Sequence, residues 1–135
     1  MLEITRAARD AVVAHARRDH PDECCGVMTG RAGRVRTVVP MQNAERSPTG
    51  FTFDPTEQLR VWREMDDRDE ELVVVYHSHT MTEAYPSRTD VRWSASTPGA
   101  HWLLVSTRAE TDEVRSFTID PDGAIAEEEV AVVDG

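Results

Sequence analysis

The chain of 135 residues carries 25 acidic against 15 basic side chains, a formal net charge of −10, and every basic residue is arginine. The absence of lysine excludes a Schiff-base or P-loop lysine, and the acidic balance argues against nucleic acid, which needs clustered cations to displace counterions. The length predicts one domain, residues 1–135.

The two cysteines are adjacent, Cys24 and Cys25, a poor geometry for an internal bridge. They read as free, packed thiols in a reducing, cytoplasmic compartment. Met1–Ile4 does not read as a signal peptide, and no apolar run approaches the ~20 residues needed to span a bilayer. No membrane partner is expected.

In chain order, Thr5 to Asp19 has helical spacing, with Ala8, Ala11, Val12 and Ala16 on one stripe, Thr5 as N-cap and Pro21 closing the segment. Cys24–Met28 and Val35–Val39 are short apolar runs around Gly30-Arg31-Ala32-Gly33, the pattern of a β-hairpin. Met41 to Gly50 has turn chemistry and reads as an exposed loop, and Phe51-Thr52-Phe53 alternates like a short strand. Asp54-Pro55 supplies an N-cap and a proline at the first helical position, and the helix should run to about Arg68, burying Leu59, Trp62 and Met65. Leu72–Tyr76 is an unbroken run of the kind covered on both faces of a sheet. A short helix is expected from Ser87 to about Ala95, then strands near 101–107, 113–119 and 125–133. Helices alternate with strands early and a meander closes the chain, which makes the class mixed α/β with a partly antiparallel sheet.

His77 and His79 are two residues apart at the end of the buried run, so their side chains point to one face and can converge on one metal ion. Ser87 and Asp90 follow, and a carboxylate in the first turn of a helix can swing back to complete a His₂Asp set, leaving the fourth zinc position to water. Ser-x-x-Asp is also a helix-capping pattern, and on its own would read that way. Beside the two histidines, the metal reading is the stronger.

The string His-x-His-x₇-Ser-x₂-Asp, from His77 to Asp90, resembles the motif of the JAMM, or MPN-plus, zinc metalloproteases. That family also uses a glutamate far upstream; the resemblance points to Glu23, in Pro21-Asp22-Glu23-Cys24-Cys25-Gly26. It implies a single-domain MPN/JAMM fold, a cytidine-deaminase-like mixed sheet flanked by helices. It further implies one Zn²⁺ per chain on His77, His79 and Asp90. Glu23 would act as general base and acid, and Ser87 would donate to the oxyanion of the tetrahedral intermediate. Thr80 stands where many eukaryotic members have proline, and the stretch to Asp90 is closer to a small bacterial branch similar to the Mec peptidases.

The expected activity is therefore zinc-dependent hydrolysis of the bond after the C-terminal Gly-Gly of a ubiquitin-like sulfur-carrier protein. The product released would be cysteine or a similar amine. The competitors are an isopeptidase that removes ubiquitin-like modifiers from proteins and a non-catalytic MPN scaffold. Long insertions that would select a polyubiquitin linkage are missing, and a homodimer is compatible with the reading. A zinc deaminase would need His-x-Glu followed by Pro-Cys-x-x-Cys, and the chain has neither. Asn43 and Gly50–Phe53 are candidates to line the substrate groove.

Overall fold

A computed structural model describes residues 1–134. Six strands form the main sheet in the order β3-β2-β4-β5-β6-β7. They are β2 (Cys25–Arg31), β3 (Arg34–Met41), β4 (Glu71–His79), β5 (His101–Ser106), β6 (Glu113–Ile119) and β7 (Ile125–Glu128). Only β4 and β5 run parallel; the other neighbours are antiparallel. This is the mixed sheet expected.

The amphipathic segment forms α1 (Arg6–Asp19), with the Thr5 hydroxyl accepting from the Ala8 amide at 3.0 Å. The hairpin forms as read, turning through Ala32 and Gly33 at positive φ. Helix α2 (Pro55–Asp67) starts on the Asp54 cap, but its buried face is Val61 and Met65, with Trp62 half-buried, while Leu59 is 53% exposed. The three-residue steps from Leu59 follow the edge of the helix stripe rather than its centre. Phe51 and Phe53 are both buried, although only Asn43–Phe53 makes a ladder bridge; the segment is a core-filling loop rather than a strand.

The two ends hold the features that periodicity missed. Leu2–Thr5 is a strand, β1, in parallel register with β8 (Val130–Val133), so the last expected strand is two elements serving two sheets. Parallel pairing joins residues far apart in sequence and leaves no local turn signal to read.

Alternation along β4 divides the core. Val74 and Tyr76 join Val12, Ala16, Cys24 and Leu103 beneath α1. Val75 joins Cys25, Val27, Phe51, Val61 and Trp102 on the other side. A strand buried on both faces can be apolar at every position, as Leu72–Tyr76 nearly is. His77 and His79 continue the Val75 face, and that carries them into the site.

Candidate metal centre

The site forms where β4 ends, beside the parallel strand β5 and the start of α3 (Arg88–Ser94). His77 Nε2 and His79 Nε2 are 3.2 Å apart, and Asp90 Oδ2 lies 3.1 Å from the first and 3.3 Å from the second. Four tetrahedral ligands at about 2.0–2.1 Å from zinc stand about 3.3 Å from one another. The three atoms thus form a nearly equilateral face of the size such an ion needs.

Each side chain is held from behind. The His77 ring is fully buried, its centroid 4.6 Å from that of Phe51 and 5.7 Å from that of Trp102. His79 Nδ1 is 3.0 Å from the Glu83 carbonyl. A carbonyl only accepts, so this contact places a proton on Nδ1 and leaves Nε2 as the nitrogen that faces inward. Asp90 Oδ2 accepts from the Ser87 amide at 2.8 Å, and Ser87 Oγ accepts from the Asp90 amide at 3.1 Å. This is a complete capping box. Capping and convergence on the histidines, read from sequence as alternatives, are performed by one oxygen atom.

Glu23 reaches the same place from β2. Antiparallel pairing sets Cys25 opposite His77, so the chain two residues before Cys25 runs beside His79. A Glu23 carboxylate oxygen and one ring nitrogen from each histidine lie within 4.8 Å of one another. Glu23 is thus within reach of an ion held between the two imidazoles, and could act on it either as a ligand or on a group in its fourth position.

Its backbone is clamped on both sides. The Glu23 amide donates to the Ser47 carbonyl at 2.8 Å, and Asn43 Nδ2 donates to the Glu23 carbonyl at 3.0 Å and to that of Gly50 at 2.8 Å. The loop 41–50, expected to be exposed throughout, thus carries a buried asparagine that ties Glu23 to the opposite wall. Thr80 Oγ1 donates to the Pro48 carbonyl at 3.0 Å and closes the same wall from the histidine side. Neither residue is singled out by its spacing, because side-chain to backbone bonds across a loop leave no periodic trace.

The electrostatics favour positive charge. Burial pushes the Glu23 carboxyl up to about 8; Asp90 and Glu45 push the same way, and His79 opposes them. Burial also works against the Asp90 charge. His77, with the hydrogen bonds from both imidazoles and the Ser87 amide, outweighs it and holds the carboxyl well below its usual range. Burial lowers the affinity of His79 for a proton, yet its bonds to Asp90 and Glu83 reverse this and raise the pKa. A buried pocket with two carboxylates and two inward-facing imidazole nitrogens fits a divalent ion of borderline softness such as zinc.

A cavity of about 210 Å³ opens on this site, walled by Gly50, Phe51, Thr80 and Met81, and reaching Glu23, His79, Ser87 and Asp90. Ser87 is exposed there; its oxygen accepts from Asp90 while its hydroxyl proton is left to donate. Of the groove candidates, Gly50 and Phe51 line this cavity, whereas Asn43, Thr52 and Phe53 do not. Cys24 and Cys25 are free and fully buried, burial pushing the first thiol to about 12 and the second upward as well, so both pack as inert core residues.

This fold, with paired histidines at the end of its central strand and an aspartate in the first turn of α3, defines a metallopeptidase of the JAB1/MPN (JAMM) class. Residues 5–120 match the family of prokaryotic homologs of the JAB domain, and the chain belongs to that family. It is 59% identical over 128 residues to the CysO-cysteine peptidase of Mycobacterium tuberculosis, covering 93% of this chain and 86% of that one. A solved structure from Desulfitobacterium hafniense superposes with a TM-score of 0.86 at 34% identity, covering 100% of this chain and 94% of that one. A JAB1/MPN domain protein from Archaeoglobus fulgidus shares the fold with a TM-score of 0.64 at 17% identity, covering 99% of this chain and 100% of that one. Among the described residues no helix is long and apolar enough to cross a membrane.

Proposed function

We propose that this metallopeptidase is a zinc enzyme that hydrolyses the amide after the C-terminal Gly-Gly of a ubiquitin-like sulfur-carrier protein and releases cysteine. The observation that carries the chemistry is the triangle of 3.1, 3.2 and 3.3 Å formed by Asp90 Oδ2 and the two Nε2 atoms. The substrate rests on the likeness to a CysO-cysteine peptidase over 93% of the chain. Residues 1–135 act as one catalytic domain, with no nucleic-acid partner.

In this reading His77, His79 and Asp90 hold the ion, and Glu23 and Ser87 act around it. Zinc bound there would supply Lewis acidity, making a water at neutral pH a better nucleophile and a carbonyl more electrophilic. Glu23 takes a proton from the attacking water and returns it to the amine nitrogen as the C–N bond breaks. Ser87 donates its hydroxyl proton to the carbonyl oxygen as that oxygen gains charge, a contact worth a few kcal/mol in comparable sites (about 2.7–4). Phe51 and Met81 wall the cavity beside Gly50. A tail without side chains passes such walls with its backbone close to them, which suits terminal glycines.

Mass spectrometry of the zinc-loaded protein mixed with a carrier ending in Gly-Gly-Cys tests this directly. Release of cysteine and of a carrier ending in Gly-Gly is expected. An intact adduct, together with cleavage of a carrier joined to a protein lysine, would establish the modifier-removing isopeptidase instead. An intact adduct and an intact conjugate, with no zinc bound, would fit a scaffold.

A further inference from the structure

Glu23 borders two cavities. The first is the cavity of about 210 Å³ over the metal centre. The second, of about 250 Å³, shares only Glu23 with the first and is otherwise lined by Asp19, Asp22, Gln42, Asn43 and Arg46. The two differ in character: the first is walled by Phe51, Met81 and Pro48, whereas only polar and charged residues line the second. Arg46 is its one lining cation, and it makes no ion pair among the described residues even with three carboxylates around the cavity.

Its backbone is held in place, while its side chain is exposed. Arg46 adopts φ 46°, and its amide donates to the Asn43 carbonyl at 3.1 Å. Asn43 is the side chain that grips the Glu23 carbonyl, and Ser47, next to Arg46, accepts from the Glu23 amide. The guanidinium is therefore mounted on the loop that holds Glu23, one residue from the contact itself.

Hydrolysis of the amide forms a bond from water oxygen to the carbonyl carbon, breaks C–N, and places a proton on the departing nitrogen. Glu23 delivers that proton, so the leaving group departs on the Glu23 side, toward the second cavity. If the leaving group is a single amino acid, it carries a free α-carboxylate throughout and gains an ammonium on release. A guanidinium beside several carboxylates matches that pair of charges: Arg46 faces the carboxylate, and Asp22 and Glu23 face the nitrogen once it becomes cationic. The side chain of a protein lysine would bring no carboxylate.

Building on the carrier-processing reading above, we infer that Arg46 recognises the free α-carboxylate of the leaving amino acid and so selects release of a single amino acid over cleavage of protein conjugates. The test compares kcat/KM on two carriers, one ending in Gly-Gly-cysteine and the other in Gly-Gly-cysteinamide, for wild type, R46A, R46K and R46N. Asparagine is included because it tolerates the left-handed backbone at this position, so a loop disturbed in R46A does not decide the result. Wild type is expected to prefer the free acid by about tenfold or more. The preference should fall to near unity in R46A and R46N and survive in part in R46K, carried by KM rather than by kcat. Free L-cysteine should inhibit wild type more strongly than either neutral variant. Equal kcat/KM on the two carriers for wild type, or an undiminished preference in both R46A and R46N, overturns the inference while leaving the carrier reading intact. A wild type that cleaves neither carrier yet cleaves a lysine-linked conjugate overturns the carrier reading, and this inference with it.

Discussion

Ser78 and Cys24 exchange two hydrogen bonds: the Cys24 amide donates to Ser78 Oγ at 2.8 Å, and the Ser78 amide donates to the Cys24 carbonyl at 3.1 Å. The residue between the two histidines is thereby bonded to the residue after Glu23. Ser78 points away from the metal centre, on the α1 side of the sheet, and acts on the site through the backbone. S78A leaves the buried Cys24 amide without its side-chain acceptor, at a cost of about 1–3 kcal/mol. A lower melting temperature and a reduced kcat with bound zinc retained are expected. Wild-type melting and turnover in S78A would show that the pair does not set the spacing of Glu23 from the histidines.

Glu23 separates ligand from base. E23Q keeps the shape of the side chain and every backbone bond to Ser47 and Asn43 but removes the proton acceptor. It should bind zinc as wild type does and lose turnover by about 10²–10⁴. Turnover within about tenfold of wild type, an arbitrary floor well below that range, would move the base to another group, with Asp22 and Glu83 the next to test.

Gly26 pairs with Tyr76 across β2 and β4, and a Cβ there would lie 2.3–2.4 Å from the tyrosine ring and hydroxyl. The ring cannot retreat. It is fully buried, with its hydroxyl 2.7 Å from His15 Nδ1, and His15 Nε2 is 3.2 Å from Asp19. G26A therefore overpacks the core one residue from His77, costing about 1–3 kcal/mol, and should lower both the melting temperature and zinc affinity. Unchanged thermal melting of G26A would contradict this packing.

Within the acidic run Glu127–Glu129, Glu128 is half enclosed and bonded to His101 at 2.6 Å and Ser116 at 2.8 Å. Burial pushes its pKa up, but these bonds prevail and lower it below 4.5. A lowered carboxyl contributes stability above its unfolded value, and the contribution is lost as pH falls through the folded one. E128Q should thus melt below wild type near neutrality, and the gap should close as the pH drops beneath about 4.5. A gap that widens in acid would reverse the assignment.

Much of this was legible before any coordinates. The Thr5 and Asp54 caps, the hairpin around Gly33 and the doubly buried β4 each follow from local chemistry, and each formed. The convergence of His77, His79 and Asp90 followed from strand alternation and helix capping, both short-range rules. Glu23 was reachable only through a family resemblance, because its place depends on the β2–β4 register, which no spacing along the chain encodes. The β1–β8 pairing, the Asn43 clamp and the Thr80–Pro48 tether were hidden for the same reason. Leu59 failed for a smaller one: on a helix with a narrow apolar stripe, a shift of one residue exchanges the buried and exposed edges.

In the function proposed above, two imidazoles and Asp90 hold the metal while Glu23 does not. Zinc bound per chain after equilibrium dialysis, measured for wild type, E23Q, H77A, H79A and D90A with folding checked by circular dichroism, tests it most directly. Wild type and E23Q should hold one zinc per chain, and the other three variants well below one. Stoichiometric zinc in both histidine variants, or its loss from a folded E23Q, would contradict the account.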